Sequence, residues 1–540
     1  MTGHSQKQHG IAMFMKNKIN SNSLLYAIAF FVILCGSVFI VSGPHLDLCS
    51  IIKMYWTLIL GSLYLLVYSI HKTVGNNTVY INHEQILYSI ILVGALECVY
   101  SFLQIIKIIP SYNSFFNYTG SFENPAIFAM ILSVCIPICA WFTFQRKKKY
   151  IWVILGLGMF IFTAFSESRT GLLATIGSVA VIGFMESHTI RRLVINKYAV
   201  VAIVLLLAVL FSYLYYFKAD SANGRLLIWQ VSISMLRDKP LLGWGPKGFS
   251  SMYMVYQAQY LSSHPDSPFL LLADNPSVPF NEFILVLINY GIVGLTILLT
   301  ITVVIVIRIL KSDYKHKSLL IGLLYTVMIW GFFSYPTSVP FVWIITSYIL
   351  VCSIICSRDV KKRNYVGLGI ISLSLLFFSI YRFFPDYRWK VVSEKSINGE
   401  CEEMLPFFKQ LSVKQSNSAD FIYNWAAELH YAKHYEESAE VFNNNMHILN
   451  DYNVQMLLAD DYQQLGDMML ALEHYDEAAR MVPSRFLPHY YKMNLYLETG
   501  DTAKAVQMAE QIINKDIKVD KSGSVKKIRK EATELLNMYY

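Results

Sequence analysis

The sequence predicts an all-α protein: a polytopic transmembrane helical bundle of about 11–12 spans followed by a C-terminal α-solenoid. Three observations carry that expectation. The 540 residues are 55% hydrophobic and 15% charged, with a mean hydropathy of +0.41, too apolar and too poor in charge for a soluble chain of this length. Apolar stretches of about 20 residues, the length that crosses a hydrocarbon core, recur about eleven times. After Pro385 the composition turns polar and a 34-residue spacing appears.

The expected spans lie near 22–43, 51–70, 85–109, 126–145, 150–165, 170–186, 198–217, 283–308, 318–335, 340–356 and 364–384. The first lacks a cleavage site and reads as a retained helix. Lys7, Lys16 and Lys18, then Arg146 to Lys149, Arg191, Arg192 and Lys197, then Arg308 to Lys317, then Arg358 to Arg363 fall on one side if the spans alternate. The loops 44–50, 110–125 and 335–340 carry no Lys or Arg. Positive charge marks the cytoplasmic side, so the N-terminus is expected inside. The 218–282 loop and the 386–540 domain are then expected outside the cytoplasm, with 1–385 as the membrane domain.

Three polar interruptions face that outer side. Ser166-Glu167-Ser168-Arg169-Thr170-Gly171 separates two apolar runs by no more than a tight turn, which sets Arg169 at or near membrane depth. A charge there is costly, and function is the expected reason to keep it. Tyr118 to Pro125 ends in a proline suited to the first turn of a helix. Asn223 to Phe249 is the longest interruption. Leu227, Ile228, Val231 and Met235 make an apolar stripe opposite Gln230, Ser234, Arg237 and Asp238, the pattern of a helix lying in the membrane interface. Arg225 opens that helix. Guanidinium groups bind phosphate oxygens in pairs and stay charged at any physiological pH, so Arg169 and Arg225 together suit a lipid-linked pyrophosphate.

In the C-terminal segment Leu465-Gly466-Asp467 and Thr499-Gly500-Asp501 are 34 residues apart, each followed at one offset by an alanine, Ala471 and Ala505. That period and those small residues are the tetratricopeptide signature. An earlier copy has Lys433 where glycine is expected, with Tyr435 and Ser438 fitting; 523–538 reads as a capping helix. Such an array presents a surface to a protein or peptide, or else packs against the membrane domain. His430, His434 and His474 read there as structural or exposed.

Several functions are excluded. The net charge of +8 comes from short runs between apolar segments, without the basic, aromatic-interleaved stripe of a nucleic-acid binder. The pairs Cys135/Cys139 and Cys352/Cys356 have no further soft ligands beside them, so no metal is expected. Gly243, Gly245 and Gly248 match G-x-G-x-x-G, but without the strand and helix that give the motif meaning. They are expected to form a turn whose N–H groups face an anion. A transporter would show paired broken helices at repeated positions, and none is evident.

Five motifs then stand in a telling order: Phe122-Glu123-Asn124-Pro125; Ser168-Arg169-Thr170-Gly171; Asn223-Gly224-Arg225 to Trp229; Asp238 to Pro246; and Asn281-Glu282-Phe283 followed by Tyr290-Gly291-Ile292-Val293-Gly294. In this order the chain resembles bacterial O-antigen ligases and the related O-antigen polymerases and protein O-oligosaccharyltransferases, over about residues 20–360. The resemblance implies a GT-C-like, metal-independent glycosyltransferase of the bacterial inner membrane that needs no cofactor. It implies transfer of a preassembled glycan from undecaprenyl diphosphate to lipid A-core or a protein hydroxyl at the periplasmic face. The tetratricopeptide array would supply a protein partner site. By the same resemblance Arg169 and Arg225 hold the pyrophosphate and stabilise its developing charge, and Asn124, Ser168, Lys247 and Asn281 contribute to substrate binding. Many members carry a histidine directly before Asn-Glu to activate or position the acceptor; this chain has Phe280. His264 is the expected substitute, with Glu282, and behind them Asp274 and Asp266. The alternatives are an O-antigen polymerase and a non-enzymatic membrane-anchored scaffold.

Overall fold

The computed structural model describes residues 23–40, 48–74, 82–113, 115–145, 149–201, 205, 209, 216, 219–355, 362–518 and 522–539. Among these residues all regular structure is helical. The chain divides into two compact units, Met1–Leu210 with Leu299–Asp386 and Phe211–Leu298 with Tyr387–Tyr540.

The first unit contains α1 (Ser23–Phe39), α2 (Leu48–Val74), α3 (His83–Ile105), α4 (Pro125–Gln145), α5 (Lys149–Phe165), α6 (Arg169–Glu186) and α7 (His188–Ile195). α4 is its centre: Phe128, Ile131, Leu132, Cys135, Trp141 and Phe142 are all buried. A helix apolar on every side has to be covered all round, and α3, α5 and α6 pack against it. Both cysteines expected to be plain apolar groups, Cys135 and Cys139, are buried thiols here.

Two long helices cross the division between units, α10 (Glu282–Lys311) and α13 (Lys362–Lys395). The first unit also holds α11 (Lys317–Phe333) and α12 (Pro340–Ile355). Six helices among the described residues are long and apolar enough to cross a membrane, and four shorter ones are apolar. Every expected span overlies one of these except 198–217, most of which lies outside the described residues.

In the second unit α8 (Ala219–Asp238) and α9 (Gly248–Ser263) pack on each other. The stripe Leu227, Ile228, Val231 and Met235 is buried as its spacing demands, but in protein. Its cover is Phe249, Tyr253, Met254, Ala258 and Leu261 of α9, and the same core continues into Tyr452, Ala478, Met481 and Val482. The interfacial reading of this helix is therefore corrected: its apolar face is spent within the unit.

The C-terminal residues form α14 (Cys401–Gln415), α15 (Ala419–Tyr431), α16 (Tyr435–Asn445), α17 (Tyr452–Gln464), α18 (Met468–Met481), α19 (Leu487–Glu498), α20 (Thr502–Asn514) and α21 (Gly523–Tyr539), each packed on the next from α14 to α21. Three of the connecting turns share one geometry. Lys433, Gly466 and Gly500 all have positive φ, at 66°, 84° and 77°. Their N–H groups bond to the carbonyls of His430, Gln463 and Leu497, and the next residue's N–H reaches back to Leu429, Tyr462 and Tyr496. Asp467 and Asp501 cap the following helices, whereas His434 makes no side-chain cap. Ser438, Ala471 and Ala505, five residues beyond each turn residue, are fully buried.

Candidate functional site

In the first unit, two of the five motifs meet. The loop before α4 is tied down by buried side chains of α3: the Glu97 carboxylate accepts from the Ser121 amide at 3.1 Å and its hydroxyl at 2.5 Å. The Gln104 carbonyl accepts from the amides of Thr119 and Gly120 at 3.0 Å each. Asn124 caps α4 through Ala126 N–H at 2.9 Å and donates to the Tyr335 hydroxyl at 2.9 Å, so its amide is held at both ends. Lys53, buried on α2, lies 4.5 Å from the centroid of Phe122.

The neighbouring turn precedes α6. Tyr118 donates to the Phe162 carbonyl at 2.9 Å. Ser168 is buried and caps α6 through Gly171 N–H at 3.2 Å. Gly171 is needed for closeness, since a Cβ there would stand 2.9 Å from that of Ala129 on α4. Arg169 is then the first residue of α6, half-buried. A cation at a helix N-terminus opposes the helix dipole. It also adds its charge to the N–H groups already facing outward there, so the end of α6 attracts an anion twice over.

The second unit holds the other named residues. Arg225, on α8, places its guanidinium carbon 5.4 Å from the centroid of Phe280. One turn along α8, the Trp229 indole donates to the Pro279 carbonyl at 3.2 Å. Asn281 is buried and caps α10, its carbonyl oxygen accepting from Phe283 and Ile284 N–H at 3.0 Å each. Glu282 follows in the first turn of α10, also buried, where the helix dipole favours a carboxylate.

His264 is exposed at the end of α9. Its ring stacks on Tyr260 at 4.5 Å, and its Nδ1 lies 2.9 Å from the Tyr260 carbonyl. A carbonyl can only accept, so this bond sets the proton on Nδ1 and leaves Nε2 as the basic nitrogen. Lys247 is exposed at the start of α9. Asp274 is engaged elsewhere: against the effect of burial, the Arg485 guanidinium at 2.9 Å and Lys518 at 3.4 Å hold its carboxyl below the usual range, which makes it a weaker base.

The glycine motif has a structural task. α10 is broken at Gly291, whose φ of 66° and ψ of −167° belong to glycine alone. The segment after α8 mends the break: Pro240 and Leu241 carbonyls accept from Ile292 and Val293 N–H at 2.9 and 3.2 Å. In return Trp244 and Gly245 N–H bond to the carbonyls of Ile288 and Asn289 at 2.8 and 2.9 Å. A Cβ at Gly243 would lie 2.5 Å from the Ile288 oxygen. The Asn289 side chain bonds Phe249 N–H and the Pro246 carbonyl. The expectation that these amides face an anion is thus corrected, because they are consumed by the broken helix. A glycine inside an apolar run at 291 was the available signal for this break, and nothing local pointed to Tyr335 or Phe280 as partners.

Residues 154–299 match the family model described as O-antigen ligase. The matched stretch contains both arginines, the glycine loop and Asn281-Glu282. A search of curated proteins finds no match to the chain. Over the matched residues the chain is similar to the O-antigen ligase superfamily, a family of lipid-linked glycan transferases, and its apolar helices accord with a multi-pass membrane protein.

Proposed function

We propose that this chain is an O-antigen ligase-like glycosyltransferase that moves a preassembled glycan from undecaprenyl diphosphate to an acceptor hydroxyl, on lipid A-core or protein, at the periplasmic face of the inner membrane. The observation that carries this reading is the match over 154–299, which falls on the arginines singled out by charge alone. In this reading the acceptor oxygen forms a bond to the anomeric carbon of the glycan. The carbon–oxygen bond to the diphosphate breaks, and its electron pair leaves with the phosphate oxygen. Arg169, reinforced by the start of α6, and Arg225 on α8 are the groups assigned to the charge that develops on that oxygen. With a phenylalanine at 280, the acceptor proton passes to His264 Nε2, to Glu282 or to water. Asn124, Ser168 and Asn281 shape the loops that receive the substrates, and each does so through a helix cap. Lys247 meets the glycan or diphosphate from an exposed position.

The domain reading is a membrane domain over 1–385, N-terminus inside, and a periplasmic tetratricopeptide domain over 386–540. The three matching turns at Lys433, Gly466 and Gly500 support the repeat. That array favours a polypeptide acceptor or partner over a second lipid-linked glycan, which a polymerase would use. Glycan profiling of a deletion strain tests the function: loss of glycan from lipopolysaccharide or glycoprotein with accumulation of the lipid-linked donor is expected. Unchanged profiles with no donor accumulation contradict it.

A further inference from the structure

We propose that Phe280 is a positioning residue for Arg225, holding the guanidinium by its face so that its edge is presented to the diphosphate; this rests on the reading of Arg225 given above. The contact geometry is the first support. At 5.4 Å from the ring centroid the guanidinium meets the negative face of the ring. Its five N–H donors lie in its own plane, so stacking consumes none of them, whereas a carboxylate partner takes two and cancels the charge. An aromatic ring is therefore a partner that orients an arginine and leaves it able to grip a second, anionic group.

The backbone is the second support. Phe280 has a φ of 52°, in the left-handed region that a bulky residue avoids. It is held there from both sides. The Pro279 carbonyl is bound by the Trp229 indole, one helical turn from Arg225, and Asn281 is fixed as the cap of α10. The helix that carries Arg225 thus also fixes the residue beneath it. Strain that neighbours hold so firmly points to the position of the ring being needed.

The test uses the full chain reconstituted with an undecaprenyl-diphosphate-linked glycan, with initial rates taken across donor concentrations. Replacing Phe280 by mono-, di- and trifluorophenylalanine weakens the ring face stepwise at nearly constant size. We expect kcat/KM to fall with each fluorine and F280L to lose roughly tenfold, while F280Y stays near the wild type. The thermal midpoint should change little across the series, since size and apolar character are kept. A flat kcat/KM across the fluorinated set, or a fall that only follows the thermal midpoint, overturns the proposal. R225A separates the two levels. If R225A loses transfer while F280L keeps it, the positioning role alone fails; if R225A transfers normally, the role of Arg225 fails with it.

Discussion

Arg225 and Arg169 were legible because a charge set between apolar runs has few explanations other than function. Phe280 was not, since a phenylalanine in an apolar sequence reads as core and its partner is 55 residues earlier in the chain. If Arg225 works through its paired N–H donors, R225K should lose at least about tenfold in transfer although the charge is kept, because an ammonium cannot bond in that fork. Steady-state rates on the reconstituted protein read this directly. Lys433 supplies a prediction about stability. It occupies the left-handed turn position filled by Gly466 and Gly500, so K433G should stabilise the protein by about 1 kcal/mol, measured as a rise in the thermal midpoint.

At the level of elements, the motifs Asp238 to Pro246 and Tyr290 to Gly294 are two halves of one device. The loop supplies backbone partners to the N–H and carbonyl groups freed at the break in α10. A Cβ at Gly291 would stand 2.1 Å from the Leu241 oxygen, so G291A should destabilise by at least about 2 kcal/mol, with loss of folded protein on purification. The sequence showed the glycines but not their use, because backbone pairing over about 50 residues leaves no periodicity. The C-terminal helices were far more legible, since their spacing and small residues repeat locally. Between α15 and α17, hydrogen bonds to Asp460 and Asp461 outweigh burial and raise His430 to about 9. A raised pKa stabilises the fold fully below about pH 6.5, and that contribution is lost as pH rises through about 9. The thermal midpoint should therefore fall between pH 7 and 9.5 in the wild type, and less so in H430N.

On the scale of the whole chain, hydrophobic length placed the spans, and the helices agree with it wherever residues are described. The partner of the 218–282 segment was not legible, because a buried stripe states that it is covered and not by what. It shares a core with Tyr452, Ala478, Met481 and Val482, and Gln257 donates to the Met481 carbonyl at 2.7 Å. Removing 400–540 should accordingly expose the α8–α9 face and make 219–280 sensitive to protease, so a lost activity in that truncation would not by itself report acceptor capture. The most direct test of the central claim is transfer by the intact chain in lipid nanodiscs, given an undecaprenyl-diphosphate-linked glycan and an acceptor. The account predicts that the wild type releases undecaprenyl diphosphate as glycan appears on the acceptor, and that R169A and R225A, equally well folded, do neither. Normal transfer by either variant would contradict it.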